Sequence, residues 1–194
     1  MNVALRTTMT LDAFLAWESR QELKYEFDGF KPIAMTGGTA AHSSIQLNIL
    51  YSLTGRLRGK SCQPHGSDLK IKVAGRIRYP EAFVSCTPLP PRATVVSDPV
   101  VIFEVLSESS VDTDLVIKNA EYRATPSVQR YVVLEQTHAG AVVFFRKGED
   151  WLAETVASGG TLHFPELGFD IPLAEFYIGV TVAPSGEPPL DPAQ

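Results

Sequence analysis

The stretch Val100-Val101-Ile102-Phe103-Glu104-Val105-Leu106 is a continuous apolar run of strand length, broken by one carboxylate. Runs of this kind read as central strands covered on both faces. A carboxylate inside such a strand is costly unless it is paired, protonated or metal-bound. Glu104 therefore marks either a half-buried structural ion pair or a site with chemistry. Downstream, the spacing predicts a helix over 112–124, with Ser109 or Ser110 as cap and Pro126 ending it. A strand over 128–134 and a hairpin within 140–156, turning at Lys147-Gly148, follow.

Upstream, Leu23, Tyr25 and Phe27 alternate with Lys24, Glu26 and Asp28, which predicts a half-buried strand. Asp28-Gly29 is a hairpin signal leading to a second strand over 33–35. Before it, Thr10 caps a short helix running to Trp17. Ile45, Ile49, Leu50, Leu53 and Leu57 recur at helical spacing and predict a long amphipathic helix over 41–57. Leu69, Ile71 and Val73 alternate with Lys70 and Lys72, a strand with one wet, cationic face, and Ala74-Gly75 turns it into a strand over 77–86. The order of elements is that of a mixed α/β (α+β) domain, a central mixed sheet flanked by helices, over 1–182. Residues 183–194, with four prolines and little apolar content, read as a disordered tail.

Composition excludes whole classes. The chain has 194 residues, a net charge of −5 and 44% apolar residues, as in an ordinary globular domain. No apolar run approaches the roughly 18 residues of a membrane span, and Met1 to Thr10 shows no secretory signal; a cytoplasmic protein is expected. Cys62 and Cys86 fit no metal motif and are expected as reduced thiols. The four histidines show no ligand spacing, so a zinc site is not expected. Between Arg56 and Arg78, seven basic residues face Asp68 alone, while the whole chain is acidic. That balance excludes a coating protein for nucleic acid but suits an enzyme with a local basic stripe.

Glu104 has two companions in the sequence. Glu81 follows Tyr79-Pro80, where proline removes one ladder hydrogen bond and marks an edge or strand start. Lys118 lies in Asp114-x3-Lys118-x3-Tyr122, three side chains on one helix face; by spacing alone Asp114 and Lys118 are an i,i+4 ion pair. Two acids on strands with a lysine on the next helix make a more specific set. Phosphodiester hydrolysis needs hard oxygen ligands for Mg²⁺, and a group that orients or activates water.

These residues carry a family resemblance. Tyr25-Glu26-Phe27-Asp28-Gly29, His42 opening the long helix, Arg78-Tyr79-Pro80-Glu81, Phe103-Glu104-Val105-Leu106-Ser107, and Asp114, Lys118 and Tyr122 together resemble the Uma2-like family of restriction endonucleases. That family belongs to the PD-(D/E)xK nuclease superfamily. The resemblance spans roughly residues 9 to 180. It implies a restriction-endonuclease-like core and a DNA endonuclease dependent on Mg²⁺ (or Mn²⁺). Glu104 matches the second acidic metal ligand, Glu26 the upstream glutamate, and Lys118 a helix lysine that replaces the one two residues after the second acid, a place held here by Leu106. Glu81 stands where the family has aspartate; it would complete the metal pair with Glu104, its oxygens about 1.5 Å further from the backbone. Lys70, Lys72, Arg76 and Arg78 would meet DNA phosphates, and cutting both strands implies a homodimer. The rival reading is a member of the same fold that has lost turnover and only binds DNA or protein.

Overall fold

The computed structural model describes residues 8–35, 37–107 and 113–182. The expected caps Ser109 and Ser110, the helix start at Asp112 and the tail over 183–194 lie outside the described residues.

Helix α1 (Leu11–Glu18) starts at Thr10, whose hydroxyl accepts from the Ala13 amide at 3.2 Å. Strands β1 (Tyr25–Phe27) and β2 (Pro32–Ala34) form the expected hairpin. Helix α2 (Ala40–Leu57) follows, with Thr39 capping the His42 amide at 3.1 Å. Then come β3 (Gln63–Gly66), β4 (Lys70–Val73), β5 (Arg76–Arg78), β6 (Ala82–Ser85), β7 (Val95–Val96) and β8 (Pro99–Val105). A π-helical stretch, Thr113–Lys118, passes directly into α3 (Asn119–Arg123). Strands β9 (Arg130–Leu134), β10 (Gly140–Lys147), β11 (Asp150–Ala157), β12 (Thr161–Phe164) and β13 (Phe169–Pro172) complete the fold with a 3₁₀ turn, Leu173–Tyr177.

The mixed α+β class holds, but the strands divide between two larger sheets and a hairpin instead of filling one. Six strands run in the order β11-β10-β9-β8-β6-β3, five in the order β2-β1-β5-β4-β7, and β12 pairs with β13. The division falls inside the expected strand over 77–86. Pro80 has no amide to give a ladder, and the Tyr79 amide donates to Glu26 Oε1 at 3.1 Å. The chain therefore leaves one sheet at Arg78 and enters the other at Ala82.

β8 lies between β6 and β9, pairing antiparallel with the first and parallel with the second. Its alternation sorts the core. Val101, Phe103 and Val105 face one side, with Ile45, Ile49, Leu53 and Leu57 of α2 and Phe164 and Phe176. Ile102 faces the other side, with Ile71 and Val73 of β4, Tyr122 and Tyr131. Glu104 shares that second side by the two-residue period. A smaller cluster joins Phe14 of α1 to Phe27, Ile77 and Tyr79.

The cysteine expectation is corrected. Cys62 and Cys86 form a disulfide. β3 pairs with β6 through Gln63 and Ser85, so the next residues outward face each other across the strands. The sequence spacing of 24 conceals that register. Among the described residues no helix is long and apolar enough to cross a membrane.

Candidate active site

The site forms between the two sheets, where three registers bring acids together. β6 pairs Ala82 with Phe103, which brings Glu81, just before the strand, close enough for its charge to act on Glu104, the residue after Phe103. β1 pairs Phe27 with Ile77, which sets Glu26 opposite Arg78. The parallel pairing of β8 and β9 requires a crossover, and that crossover carries Asp114, Lys118 and Tyr122 back over Glu104.

Glu104, 3% exposed, accepts at Oε1 from Lys118 Nζ at 2.8 Å and from the Tyr122 hydroxyl at 2.9 Å. Lys118 Nζ also lies 3.0 Å from Asp114 Oδ1 and 3.8 Å from Glu26 Oε1. One ammonium thus sits among three carboxylates. Burial works against its charge, yet Glu104, Glu26 and Asp114 hold it protonated well beyond the ordinary lysine range. Burial raises the Glu104 carboxyl above its ordinary value; the pull of Lys118 does not offset burial together with Asp114, Glu81 and Glu26. Burial opposes the Glu26 charge as well, but Lys118, Arg78 and the Tyr79 amide outweigh it and lower that carboxyl. The Tyr122 phenol is raised by burial and by Glu104, so it remains a donor.

Behind Glu26, Arg78 donates to its Oε2 at 2.9 Å and forms a two-pronged pair with Glu121 at 2.7 and 2.6 Å. Arg76 Nε joins Glu121 at 3.0 Å. At the mouth, Glu81 Oε1 meets His42 Nε2 at 3.1 Å, and Gln46 donates to the Glu81 carbonyl at 3.1 Å. The hydrogen bond to Glu81 raises the His42 imidazole, against burial, helped by the charges of Glu81 and Asp114 and the Val105 backbone.

Of the expected site residues, Glu26, Glu104 and Lys118 are in one contact network, and Glu81 acts on Glu104 through its charge. The Asp114–Lys118 pair is buried, not the exposed helix pair that its spacing suggests. The basic stripe is corrected at two positions. Lys70 is buried and donates to Glu18 Oε2 at 2.6 Å, and Arg78 is buried in the acid network, so neither presents its charge to a phosphate. Lys72 is exposed and Arg76 half-buried. The network also takes in His42 and Glu121, to which the sequence assigns no site role. His42 had a signal, a polar ring in the first turn of an amphipathic helix; Glu121 had none, because its partners come from a distant strand.

Five carboxylates (Glu26, Glu81, Glu104, Asp114 and Glu121) meet three permanent cations, Arg76, Arg78 and Lys118. The set is oxygen-rich and short of positive charge. Among the described residues no three His, Cys, Asp or Glu side chains form a ready-made cage. Mg²⁺ needs none, since it takes one or two carboxylates and keeps several waters. The residues present fit a hard divalent cation.

A family model described as "Uma2: Putative restriction endonuclease" matches residues 11–174, which includes every acid and base of this network. The chain belongs to the Uma2 family. An uncharacterized protein of Synechocystis sp. (strain ATCC 27184 / PCC 6803 / Kazusa), slr1290, is 28% identical over 173 residues, 87% of this chain and 91% of that protein. A second from the same organism, sll1609, is 27% identical over 141 residues, 70% of this chain and 80% of its own length. A crystal structure from Anabaena variabilis ATCC 29413, described as a putative nuclease belonging to DUF820, superposes with a TM-score of 0.73 at 16% identity. It covers 89% of this chain and 99% of its own. At that identity the likeness speaks to the fold, which this Uma2 chain shares.

Proposed function

We propose that this Uma2 protein is a divalent-metal-dependent endonuclease that hydrolyses phosphodiester bonds in DNA. The observation that carries the reading is Glu104: a buried carboxylate crowded by Glu26, Glu81 and Asp114 and answered by one lysine. Such a cluster is costly as a structural device and useful as a cation site. Glu104 and Glu81 would hold Mg²⁺ or Mn²⁺. The metal would supply Lewis-acid stabilisation of the phosphoryl oxygens and a more acidic bound water. Lys118 orients the attacking water or faces the charge that builds on the phosphoryl oxygens, and Tyr122 fixes the Glu104 carboxylate by its hydrogen bond. Glu26, held ionised between Arg78 and the Tyr79 amide, keeps Lys118 charged and in place. Lys72 and Arg76 are the residues of the stripe left to meet phosphates, and cutting both strands of a duplex calls for two copies.

Supercoiled plasmid incubated with Mg²⁺ or Mn²⁺ tests the reading: the wild type should nick or linearise it, and Glu104→Gln should not. Equal cleavage by both would overturn the assignment. The rival, a binding module without turnover, draws support from the Glu81 carboxylate being engaged by His42. Retention of DNA with no cleavage under any metal would favour it.

A further inference from the structure

We propose that His42 and Glu81 form a mixed nitrogen–oxygen edge of the cation site, so that the protein favours a first-row transition ion such as Mn²⁺ over Mg²⁺. The inference rests on the metal-dependent reading above and specifies its ion.

The geometry is that of two adjacent ligands. His42 Nε2 and Glu81 Oε1 are 3.1 Å apart. Two donors at right angles about an ion, each near 2.1 Å from it, stand about 3 Å apart. A cation can therefore replace the shared proton with little movement of either side chain. The longer Glu81 makes this contact possible: its carboxylate reaches out to the helix from a position beside Glu104. Both donors are only partly buried, at 14% and 18% exposure of their side chains, so an ion has access from solvent.

The imidazole is also held in place. Its backbone lies in the first turn of α2, with the amide capped by Thr39. Gly38 presses against the ring: a Cβ there would lie 2.8 Å from Nδ1 and 3.0 Å from Cγ. Only a glycine lets the chain pass this close, so Gly38 is a positioning residue for His42. The chemistry of selection then follows. Carboxylate and water suit Mg²⁺ and Mn²⁺ alike, whereas an imidazole nitrogen is a ligand of first-row transition ions and not of Mg²⁺, so His42 shifts the balance toward the transition ions, least for Mn²⁺ at the weak end of that series.

Pulsed electron paramagnetic resonance of Mn²⁺ bound to the full chain, together with calorimetric titration by Mn²⁺ and Mg²⁺, tests this. The wild type should show ¹⁴N coupling to bound Mn²⁺ and bind Mn²⁺ more tightly than Mg²⁺. His42→Gln should lose the coupling and weaken Mn²⁺ binding measurably, with Mg²⁺ affinity nearly unchanged. Gly38→Ala, which keeps the ligand but displaces the ring, should weaken the coupling. Mn²⁺ bound to the wild type without ¹⁴N coupling overturns the role of His42 and leaves the carboxylate reading standing. No binding of either ion overturns both. The wild-type spectrum decides the matter even if His42→Gln fails to fold.

Discussion

The two faces of β8 follow opposite rules. Toward α2, Val101, Phe103 and Val105 pack their side chains into an apolar cluster and are fully or almost fully buried. Toward the five-stranded sheet, Glu104 sits at 3% exposure on the same strand, held by Lys118 and Tyr122 within a network of acids. The first face stabilises the fold by removing carbon from water. The second spends part of that stability to hold like charges together, as functional sites do. One strand serves both because its side chains alternate, and the apolar face supplies the rigidity that the charged face needs.

The sharpest break between the faces is a pair of substitutions on neighbouring residues. Phe103→Ala should destabilise the protein by about 3–5 kcal/mol, read by denaturant unfolding, while metal-dependent cleavage per folded molecule survives. Glu104→Gln should do the reverse, removing cleavage while unfolding shifts much less. If Glu104→Gln costs as much stability as Phe103→Ala, the carboxylate is structural and the contrast fails.

Lys118→Met comes next. The exposed i,i+4 pair suggested by spacing would be worth under about 1 kcal/mol. The buried ammonium answers three carboxylates, so its loss should cost closer to the 3–5 kcal/mol of a broken buried pair, along with turnover. A stability loss under 1 kcal/mol in a melt would return Lys118 to the surface-pair reading.

The apolar face of β8 was legible in the sequence because hydrophobic periodicity records burial directly. So were α1, α2, the β1–β2 hairpin and the strand–crossover–strand order around Glu104. The two-sheet division was less so: Pro80 signalled a break, but nothing local says that β5 and β6 part company across it. Ion pairing was least legible. Lys70 and Lys72 look alike in an alternating strand, yet Glu18 of α1 draws the first inward. Arg78 lies opposite Glu26 only once β1 has paired with β5. Charge on a strand reads as solvent-facing until its tertiary partner is known.

That difference gives a smaller test. Replacing Lys72 by alanine should reduce the salt slope of DNA binding by about 0.9, one phosphate contact. Lys70→Ala should leave the slope unchanged and lower stability through Glu18. Equal effects on the slope would mean that the stripe acts as a whole.

The smallest effect belongs to the outer side of α2, where Arg56 and Ser52 hold Glu175 at 2.6 to 2.9 Å. The Arg56 hydrogen bond lowers the Glu175 carboxyl despite burial, with Ser52 adding to it. A carboxyl lowered on folding contributes stability above its unfolded value near 4.5 and loses it as pH falls through the folded value. Glu175→Gln should therefore flatten the acid limb of the stability curve slightly and leave cleavage at neutral pH untouched. An unaltered limb would show the pair to be neutral.

The π-helical stretch Thr113–Lys118 makes segment length a determinant of how the buried charges are arranged. A wider turn accommodates a residue that an α-helix would not, and here Asp114 and Lys118 both point inward from it. Deleting one residue from this stretch would keep Lys118 four residues from Tyr122 but turn Asp114 away by about 100°. Among homologous chains, a gap at this place is worth more attention than most substitutions. It would separate proteins that share the fold from those that share the arrangement of charges.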